Sequence, residues 1–370
     1  MGRSAPDEAP GTRPRPECGT IRRVPRPSKP RARAARRGRT TLSDVTAVLQ
    51  ASWGDRLHAL GLAADMCIVR GGRAVLPSPA ALRAAFPRGR GRIAVWLHGL
   101  GVTETVWTYP GRRQTTYGAQ LERDAGFTPV FLRYNTGRSV RDNGTAADAL
   151  LEQLVASWRV PVREIALVGY SMGGLVVRSA LQQGISRSAP WVGLVRHTIH
   201  LGVPHLGAPL ERAGRVTTSL LKALPNPWTR MVGAVADLRS AGVKDLAHGD
   251  LVPDRTWVPL PREGTHHAIV GTVHTDPQHV LSWLLGDGLV PLASARAQTF
   301  RDAPVFAPER VTIVGGVGHL ALPRSSRVYP EILAALSPRS PRGTRTGQRG
   351  LSPERRRRPR TGSSGRGPRK

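Results

Sequence analysis

The chain has 370 residues and a formal net charge of +30, with 55 Lys and Arg against 25 Asp and Glu. This length holds one α/β domain or two smaller ones. Its two cysteines, Cys18 and Cys67, exclude a disulfide framework and a cysteine metal site, and the lack of any run of 18 apolar residues excludes a membrane-spanning helix.

The positive charge is concentrated at the two ends. Residues 1–41 contain 12 Arg and Lys against 3 Asp and Glu, and residues 338–370 contain 12 against 1. Both segments are rich in Pro, Gly, Ser and Arg and lack hydrophobic periodicity, which predicts disordered basic tails around a folded domain at 42–337. No apolar stretch follows Arg22-Arg23, so we expect no export signal and a cytoplasmic protein.

The tails also bear on possible partners. The run Arg355-Arg356-Arg357-Arg358 would attract the phosphates of nucleic acid or an anionic membrane, which would make the protein membrane-peripheral. However, 51 of the 55 basic residues are arginine, and neither tail contains an aromatic residue that could stack on bases. This pattern indicates that the charge reflects an arginine-rich overall composition and not a nucleic-acid function. The oligomeric state is left open.

Strands and helices alternate along the central part of the chain. The first helix is predicted to begin at a cap, Thr41 or Ser43. Further helices are predicted over Pro79–Phe86, 115–125 and Ala146–Trp158, and another follows the strand at 164–168 and ends at about Gln183. Strands are predicted over Met66–Val69, Ala74–Leu76, Ile93–Leu97, Pro129–Tyr134, 164–168, Leu194–Leu201, His266–Val273 and Val311–Val314. Continuous apolar strands are typical of parallel sheets buried on both faces, so the pattern predicts an α/β fold with helices on both sides.

Two further features lie between these strands and helices. Residues 87–92 form a basic glycine loop before the third strand. Between about 203 and 263 the apolar residues share helical faces, which predicts two amphipathic helices inserted after a central strand. This insertion would be a cap over a site, or it would pack against the sheet edge; the sequence favours neither.

The segment Ile165–Val177 carries the strongest chemical signal. It places Gly-x-Ser-x-Gly, with Ser171 at its centre, between an apolar strand and a helix start. Such a nucleophile elbow holds a serine hydroxyl on a strained turn beside a helix N-terminus, where negative charge is stabilised. We therefore predict that Ser171 is a nucleophile.

A serine nucleophile needs a histidine base and a carboxylate that orients the histidine. Asp287 is predicted to be the acid, because it follows a late strand in a glycine-flanked loop; Asp276, Asp250 and Asp254 are weaker alternatives. His319 is predicted to be the base. It follows the last strand through a glycine-rich loop, the position that this chain order requires.

An oxyanion produced at Ser171 would need two backbone donors. We predict the N–H groups of Met172, the next residue after the nucleophile, and of Leu100, in the loop after Ile93–Leu97. His98 and Gly99 would shape that loop. No metal-ligand spacing and no dinucleotide fingerprint is present, so no cofactor is expected.

Five motifs in this order resemble bacterial lipases and serine esterases of the α/β-hydrolase superfamily, and also its branch of GPI inositol-deacylase-like proteins. The motifs are His98-Gly99-Leu100-Gly101, Gly169–Gly174, Leu201–Gly207, Asp287–Pro291 and Gly318-His319. The resemblance covers about residues 90–325. It implies the α/β-hydrolase fold, a Ser171–Asp287–His319 triad, and an acyl pocket bordered by Pro204 and His205 together with His98 and Gly99.

The expected function is hydrolysis of a small-molecule or lipid ester with an apolar acyl group, through an acyl-serine intermediate. The same triad would serve a thioesterase or an amidase, since the fold does not determine the substrate. A different class of function, a non-catalytic interaction protein with basic tails, is the remaining alternative.

Overall fold

The computed structural model describes residues 42–61, 65–108, 115–207, 240–242, 245, 260–261, 264–297 and 305–337. The two predicted tails, 1–41 and 338–370, lie outside these ranges. So does most of the predicted cap at 203–263, of which the described part consists of 203–207, 240–242, 245 and 260–261.

A single eight-stranded sheet organises the described part of the chain, in the order β2-β1-β4-β3-β5-β6-β7-β8. Strands β3 to β8 are parallel to one another, and β1 pairs antiparallel with both β2 and β4. The strands are β1 (Cys67–Arg70), β2 (Arg73–Val75), β3 (Arg92–Leu97), β4 (Thr128–Arg133), β5 (Glu164–Tyr170), β6 (Val195–Leu201), β7 (Thr265–Thr272) and β8 (Val311–Gly315).

Helices connect these strands. The α-helices that the structure describes in full are α1 (Leu42–Ala59), α2 (Pro79–Ala85), α3 (Tyr117–Ala125), α4 (Val140–Ser157), α5 (Met172–Ser186), α6 (Val280–Leu285), α7 (Leu292–Ala295) and α8 (Tyr329–Leu336). Short 3₁₀ helices cover Glu104–Trp107, Pro190–Leu194, Pro308–Arg310 and His319–Arg324.

The predicted elements match this order, with two differences. Helix α4 begins six residues before its predicted start at Ala146, because Ser139 caps it by accepting a hydrogen bond from the N–H of Asp142 at 2.9 Å. A Cβ at Gly144 would lie 2.1 Å from Oγ of Ser179, so this glycine serves the packing of α4 on α5. The second difference is that α6, α7 and α8 were not predicted.

Alternate residues of the central strands enter two separate cores, one on each face of the sheet. Ile93, Val95 and Leu97 of β3 are buried with residues of α2, α4 and α5. Ala94 and Trp96 are buried on the other face with residues of α3 and α8. Successive strand side chains point to opposite faces, so a continuous apolar strand fills both layers.

The parallel strands place the segments after β3, β5, β6, β7 and β8 at one edge of the sheet, where each strand ends. The elbow follows β5 directly, and the loops that contain Asp287 and His319 follow β7 and β8. This strand order, with helices on both faces and a serine elbow after β5, is the α/β-hydrolase fold, as the sequence predicts.

Candidate active site

Ser171 lies between the end of β5 and the start of α5 with φ of 52° and ψ of −125°, a backbone conformation that L-residues rarely adopt. Its N–H donates to the carbonyl of Leu201 at 2.9 Å, which ties the elbow to β6. A Cβ at Gly173 would lie 2.4 Å from the carbonyl oxygen of Leu97, and one at Gly169 would lie 2.5 Å from Cα of Gly174. The glycines therefore make this tight turn possible.

His319 joins Ser171 to Asp287. Its Nε2 lies 3.0 Å from Oγ of Ser171, and its Nδ1 lies 2.7 Å from Oδ2 of Asp287. All three side chains are buried, with relative exposures of 6%, 2% and 4% for Ser171, Asp287 and His319. The structure thus brings together three residues that are separated by 116 and 32 positions in the chain.

Asp287 is itself held by backbone donors. Its Oδ1 accepts hydrogen bonds from the N–H groups of Leu289 at 3.1 Å and Val290 at 2.9 Å. Its carbonyl accepts from the N–H of His319 at 2.9 Å, so the acid loop and the base loop are joined by main chain as well as by side chains. This arrangement directs Oδ2 at the imidazole.

Two residues that sequence reasoning did not single out support this group. Tyr170 is fully buried, its hydroxyl donates to the carbonyl of His319 at 3.1 Å, and its ring lies 5.1 Å from the imidazole centroid. Burial, with a smaller contribution from Asp287, raises the pKa of Tyr170, so the phenol stays a neutral donor. No pattern in the sequence distinguishes this tyrosine from an ordinary core residue.

Gly202 is the second such residue. It follows β6 with φ of +54°, and a Cβ there would lie 2.6 Å from Leu322, 3.0 Å from Oδ2 of Asp287 and 3.2 Å from Nδ1 of His319. The site therefore needs a residue without a side chain at this position. The available signal is a glycine placed directly after a buried strand, which marks a close backbone approach.

The loop after β3 lies against the elbow. A Cβ at Gly99 would be 3.1 Å from Cβ of Ser171 and 3.1 Å from the Tyr170 ring. The loop is fixed before and after Leu100, since the hydroxyl of Tyr134 donates to the carbonyl of His98 at 2.6 Å and the N–H of Gly101 donates to Thr136 at 3.2 Å. The predicted oxyanion donors, Leu100 and Met172, thus belong to segments that meet at Ser171.

His98 is engaged within this loop. Its Nδ1 lies 3.0 Å from the carbonyl of Gly99, and its Nε2 accepts from the N–H of Tyr134 at 3.3 Å, which defines a neutral imidazole with the proton on Nδ1. Burial lowers the pKa of His98 to about 4. A contribution of His98 to a substrate pocket would therefore come through the shape of the loop.

Pro204 and His205 lie in a buried turn after β6. The imidazole of His205 is 2% exposed; its Nδ1 lies 3.2 Å from Arg178 and its ring lies 5.0 Å from that of His200. Burial, with the nearby Arg178, lowers the pKa of both histidines well below the usual value. Leu206, at 36% exposure, is the residue of this turn that reaches the surface.

The described ranges contain neither a candidate metal cluster nor a candidate membrane span. There, no three His, Cys, Asp or Glu side chains come together as a group that could hold a metal ion. None of the helices in this part of the chain combines the length and hydropathy needed to cross a bilayer.

Comparisons with known proteins give a similarity of fold. No protein-family model and no curated protein matches the chain. Among solved structures it is similar to the mature form of a lipase from Bacillus licheniformis, at 20% identity over 67% of this chain and 92% of that chain, with a TM-score of 0.44. A thioesterase of the prodiginine biosynthetic pathway in Streptomyces coelicolor matches at 17% identity over 71% and 95%, with a TM-score of 0.41.

A lipase-esterase related protein from Clostridium acetobutylicum matches at 14% identity over 73% of this chain and 98% of that chain, with a TM-score of 0.37. The solved structures to which the chain is similar thus include bacterial lipases and esterases, as the motifs predict, and the resemblance to the inositol-deacylase branch stays a prediction. Because these TM-scores lie below 0.5, the assignment of the fold rests on the strand order and the elbow described above.

Proposed function

We propose that the protein is a serine hydrolase that cleaves carboxylic esters through an acyl-serine intermediate. The observation that carries this proposal is the chain of contacts from Ser171 Oγ to His319 Nε2 at 3.0 Å and from His319 Nδ1 to Asp287 Oδ2 at 2.7 Å. A buried serine at positive φ, aligned with an imidazole and a carboxylate, is an activated nucleophile.

In the first half of the reaction, Nε2 of His319 accepts the proton of the Ser171 hydroxyl as Oγ attacks the carbonyl carbon of the ester. The carbonyl π electrons move to oxygen, and the resulting oxyanion accepts hydrogen bonds from the N–H groups of Leu100 and Met172. Asp287 accepts the Nδ1–H bond throughout and stabilises the imidazolium. The oxyanion then collapses, the ester C–O bond breaks, and Nε2–H protonates the departing alcohol.

The second half repeats these steps with water. Nε2 of His319 takes a proton from water, the hydroxide oxygen attacks the acyl carbon, and the bond between that carbon and Ser171 Oγ breaks. The proton on Nε2 returns to Oγ, which restores the free enzyme and releases the carboxylic acid. No cofactor is needed for this sequence, because each proton that leaves one oxygen is passed to another by His319.

The surroundings of Asp287 and His319 favour an apolar acyl group. Helix α6 ends two residues before Asp287 and carries five large apolar side chains that are 40–62% exposed: Val280, Leu281, Trp283, Leu284 and Leu285. Val273, whose N–H donates to the carbonyl of Gly286, and Leu320, next to His319, are 45% and 40% exposed. Contiguous exposed apolar side chains of this kind mark a binding surface.

The test combines labelling with turnover. A fluorophosphonate probe should label Ser171 in the unmodified protein, and the S171A variant should lose labelling and show turnover at least about 10³-fold lower. Ser188 is a suitable matched control, because it is also at positive φ (55°) but is exposed. The S188A variant should label and react like the unmodified protein.

The substrate class is tested with p-nitrophenyl esters of increasing chain length and with matched thioester and amide analogues. We expect kcat/KM to be highest for the esters and to rise with acyl length. Folded protein that neither labels nor hydrolyses any analogue would instead support a non-catalytic interaction protein. A higher kcat/KM for the thioester or the amide would show that the enzyme cleaves that bond in preference to an ester, with the same three residues.

A further inference from the structure

A groove with a volume of about 400 Å³ lies beside the basic glycine loop at residues 87–92. Its lining contains four arginines, Arg70, Arg88, Arg90 and Arg123, and one acidic residue, Glu122. The loop precedes β3, whereas the Ser171 site lies after it. Six strand residues at about 3.3 Å each separate the two places by roughly 20 Å, so this groove is distinct from the candidate active site.

The loop is held firmly by its backbone. The N–H of Arg90 donates to Thr128 at 2.9 Å, and the carbonyl of Arg90 accepts from the indole of Trp158 at 2.9 Å. The N–H of Arg163 donates to the carbonyl of Gly91 at 2.7 Å. Gly89 is buried, and a Cβ there would lie 2.9 Å from the Trp158 ring. The loop therefore presents Arg88 and Arg90 from a fixed backbone.

The other two arginines come from neighbouring elements. Arg70, at the end of β1, lies with its guanidinium carbon 5.0 Å from the centroid of the Phe86 ring. Arg123, in the last turn of α3, donates to Gln120 at 2.5 Å. Nη1 of Arg90 reaches the C-terminal end of the same helix, since it lies 2.9 Å from the Cβ position of Gly126. The four side chains thus converge from three parts of the chain.

The groove carries a net positive charge, since four arginines line it with one carboxylate, Glu122, and the adjacent Asp124 offsets only Arg123. All four arginines are exposed, and none of them forms an ion pair with a carboxylate among the described residues. Outside the groove some arginines are paired, such as Arg92 with Glu164, Arg133 with Glu104 and Arg187 with Asp148, and the exposed Arg141 and Arg196 form no ion pair among the described residues. The groove differs from those two in that its four arginines line one concavity. Four unpaired guanidinium groups around one concavity repel each other, and an anion that binds between them removes that repulsion.

We propose that this arginine groove binds a small molecule that carries two adjacent phosphate groups. Guanidinium groups bind phosphate in a bidentate manner, and four of them exceed what one phosphate uses. The concave shape and the volume match a small-molecule site. The aromatic ring in the groove, Phe86, is 2% exposed and cannot stack on a base, which argues against single-stranded nucleic acid.

Inorganic pyrophosphate is the probe, and calorimetric titration of the full chain at physiological ionic strength is the measurement. We expect saturable binding at one site per chain. The R88Q/R90Q variant should bind pyrophosphate at least about tenfold more weakly, because two sets of charge-assisted hydrogen bonds are lost. The control R141Q/R196Q removes the same charge from exposed arginines outside the groove and should leave the affinity unchanged.

Three outcomes would overturn the proposal. These are no binding of pyrophosphate to the unmodified protein, equal binding by R88Q/R90Q, and an equal loss in the control pair, which would indicate a general effect of net charge. Binding of anionic vesicles or duplex DNA that depends on Arg88 and Arg90, without binding of pyrophosphate, would reject the small ligand in favour of a macromolecular partner. Thermal unfolding of each variant verifies its folding and does not depend on the chemistry proposed at Ser171.

Discussion

Gly202 and Asp287 approach each other so closely that a Cβ atom on Gly202 would lie 3.0 Å from Oδ2 of Asp287, the oxygen that accepts the Nδ1–H of His319. The backbone at Gly202 also has φ of +54°. A single glycine after β6 therefore leaves room for the hydrogen bond between the acid and the base, and this contact determines which substitutions the site tolerates.

Replacement of Gly202 by Ala should impair turnover. The new methyl group would push Asp287 or Leu322 aside, and a displacement of this size in a triad costs about 10²-fold in kcat. Positive φ adds about 1–2 kcal/mol of strain. Gly72 has φ of +80° and nothing within 4 Å of its Cβ position, so Gly72→Ala introduces the strain without the contact. Hydrolysis assays and thermal unfolding should show a loss of stability in both variants and a loss of kcat in Gly202→Ala alone. Equal kcat values would show that the contact is unimportant.

Asp287→Asn should retain the fold and lose activity. The amide can donate to Nδ1 instead of accepting from it, so the imidazole would carry its proton on Nε2 and could not accept the proton of Ser171. We expect kcat to fall by about 10⁴-fold with little change in KM. Asp276→Asn, in the exposed turn after β7, is the matched control. If Asp276→Asn caused the larger loss, the acid would have to be reassigned.

Tyr170→Phe should lower kcat by about tenfold, with KM unchanged. The substitution deletes the donor to the carbonyl of His319 at 3.1 Å while the ring contacts stay, so the base is held less firmly relative to Ser171. Tyr329→Phe removes a comparable hydroxyl that binds Asp124 and should leave kcat unaffected. Steady-state kinetics with a p-nitrophenyl ester separates the two. A fall in thermal stability without a fall in kcat would assign Tyr170 a purely structural role.

Buried histidines make the stability depend on pH. Burial lowers the pKa of His98 from 6.5 to about 4, so the unfolded chain binds its proton at a higher pH than the folded protein does. The stabilisation is therefore complete above pH 6.5 and is lost as the pH falls toward 4. For His98 alone the loss is on the order of 3 kcal/mol, and His200 and His205 act in the same direction.

Urea unfolding at several pH values measures this effect. The free energy of unfolding should fall between pH 6.5 and pH 4, with a smaller slope in His98→Asn than in the unmodified protein. His58→Asn changes an exposed histidine of α1 and should follow the unmodified curve. A free energy of unfolding that is constant across this interval would be incompatible with a neutral, buried His98.

Local patterns predicted the elements well where the local sequence alone decides them. Strands β3 and β5 were found because each contains a continuous apolar run, and the elbow was found because glycines flank a serine between a strand and a helix. The start of α4 was placed six residues too late, because the cap at Ser139 and the close contact of Gly144 with Ser179 were not recognised in the sequence. Contacts between distant segments left no such local signal.

The sequence by itself determined the class of fold, the order of the strands along the chain, and the three side chains that we propose for the chemistry. Each of these depends on residue type and on position relative to a strand end. Only the tertiary structure decided the roles of Tyr170 and Gly202 and the convergence of Arg70, Arg88, Arg90 and Arg123. Those properties arise because parallel strands bring the ends of distant segments together, and the distances between their atoms depend on the packing of the whole sheet.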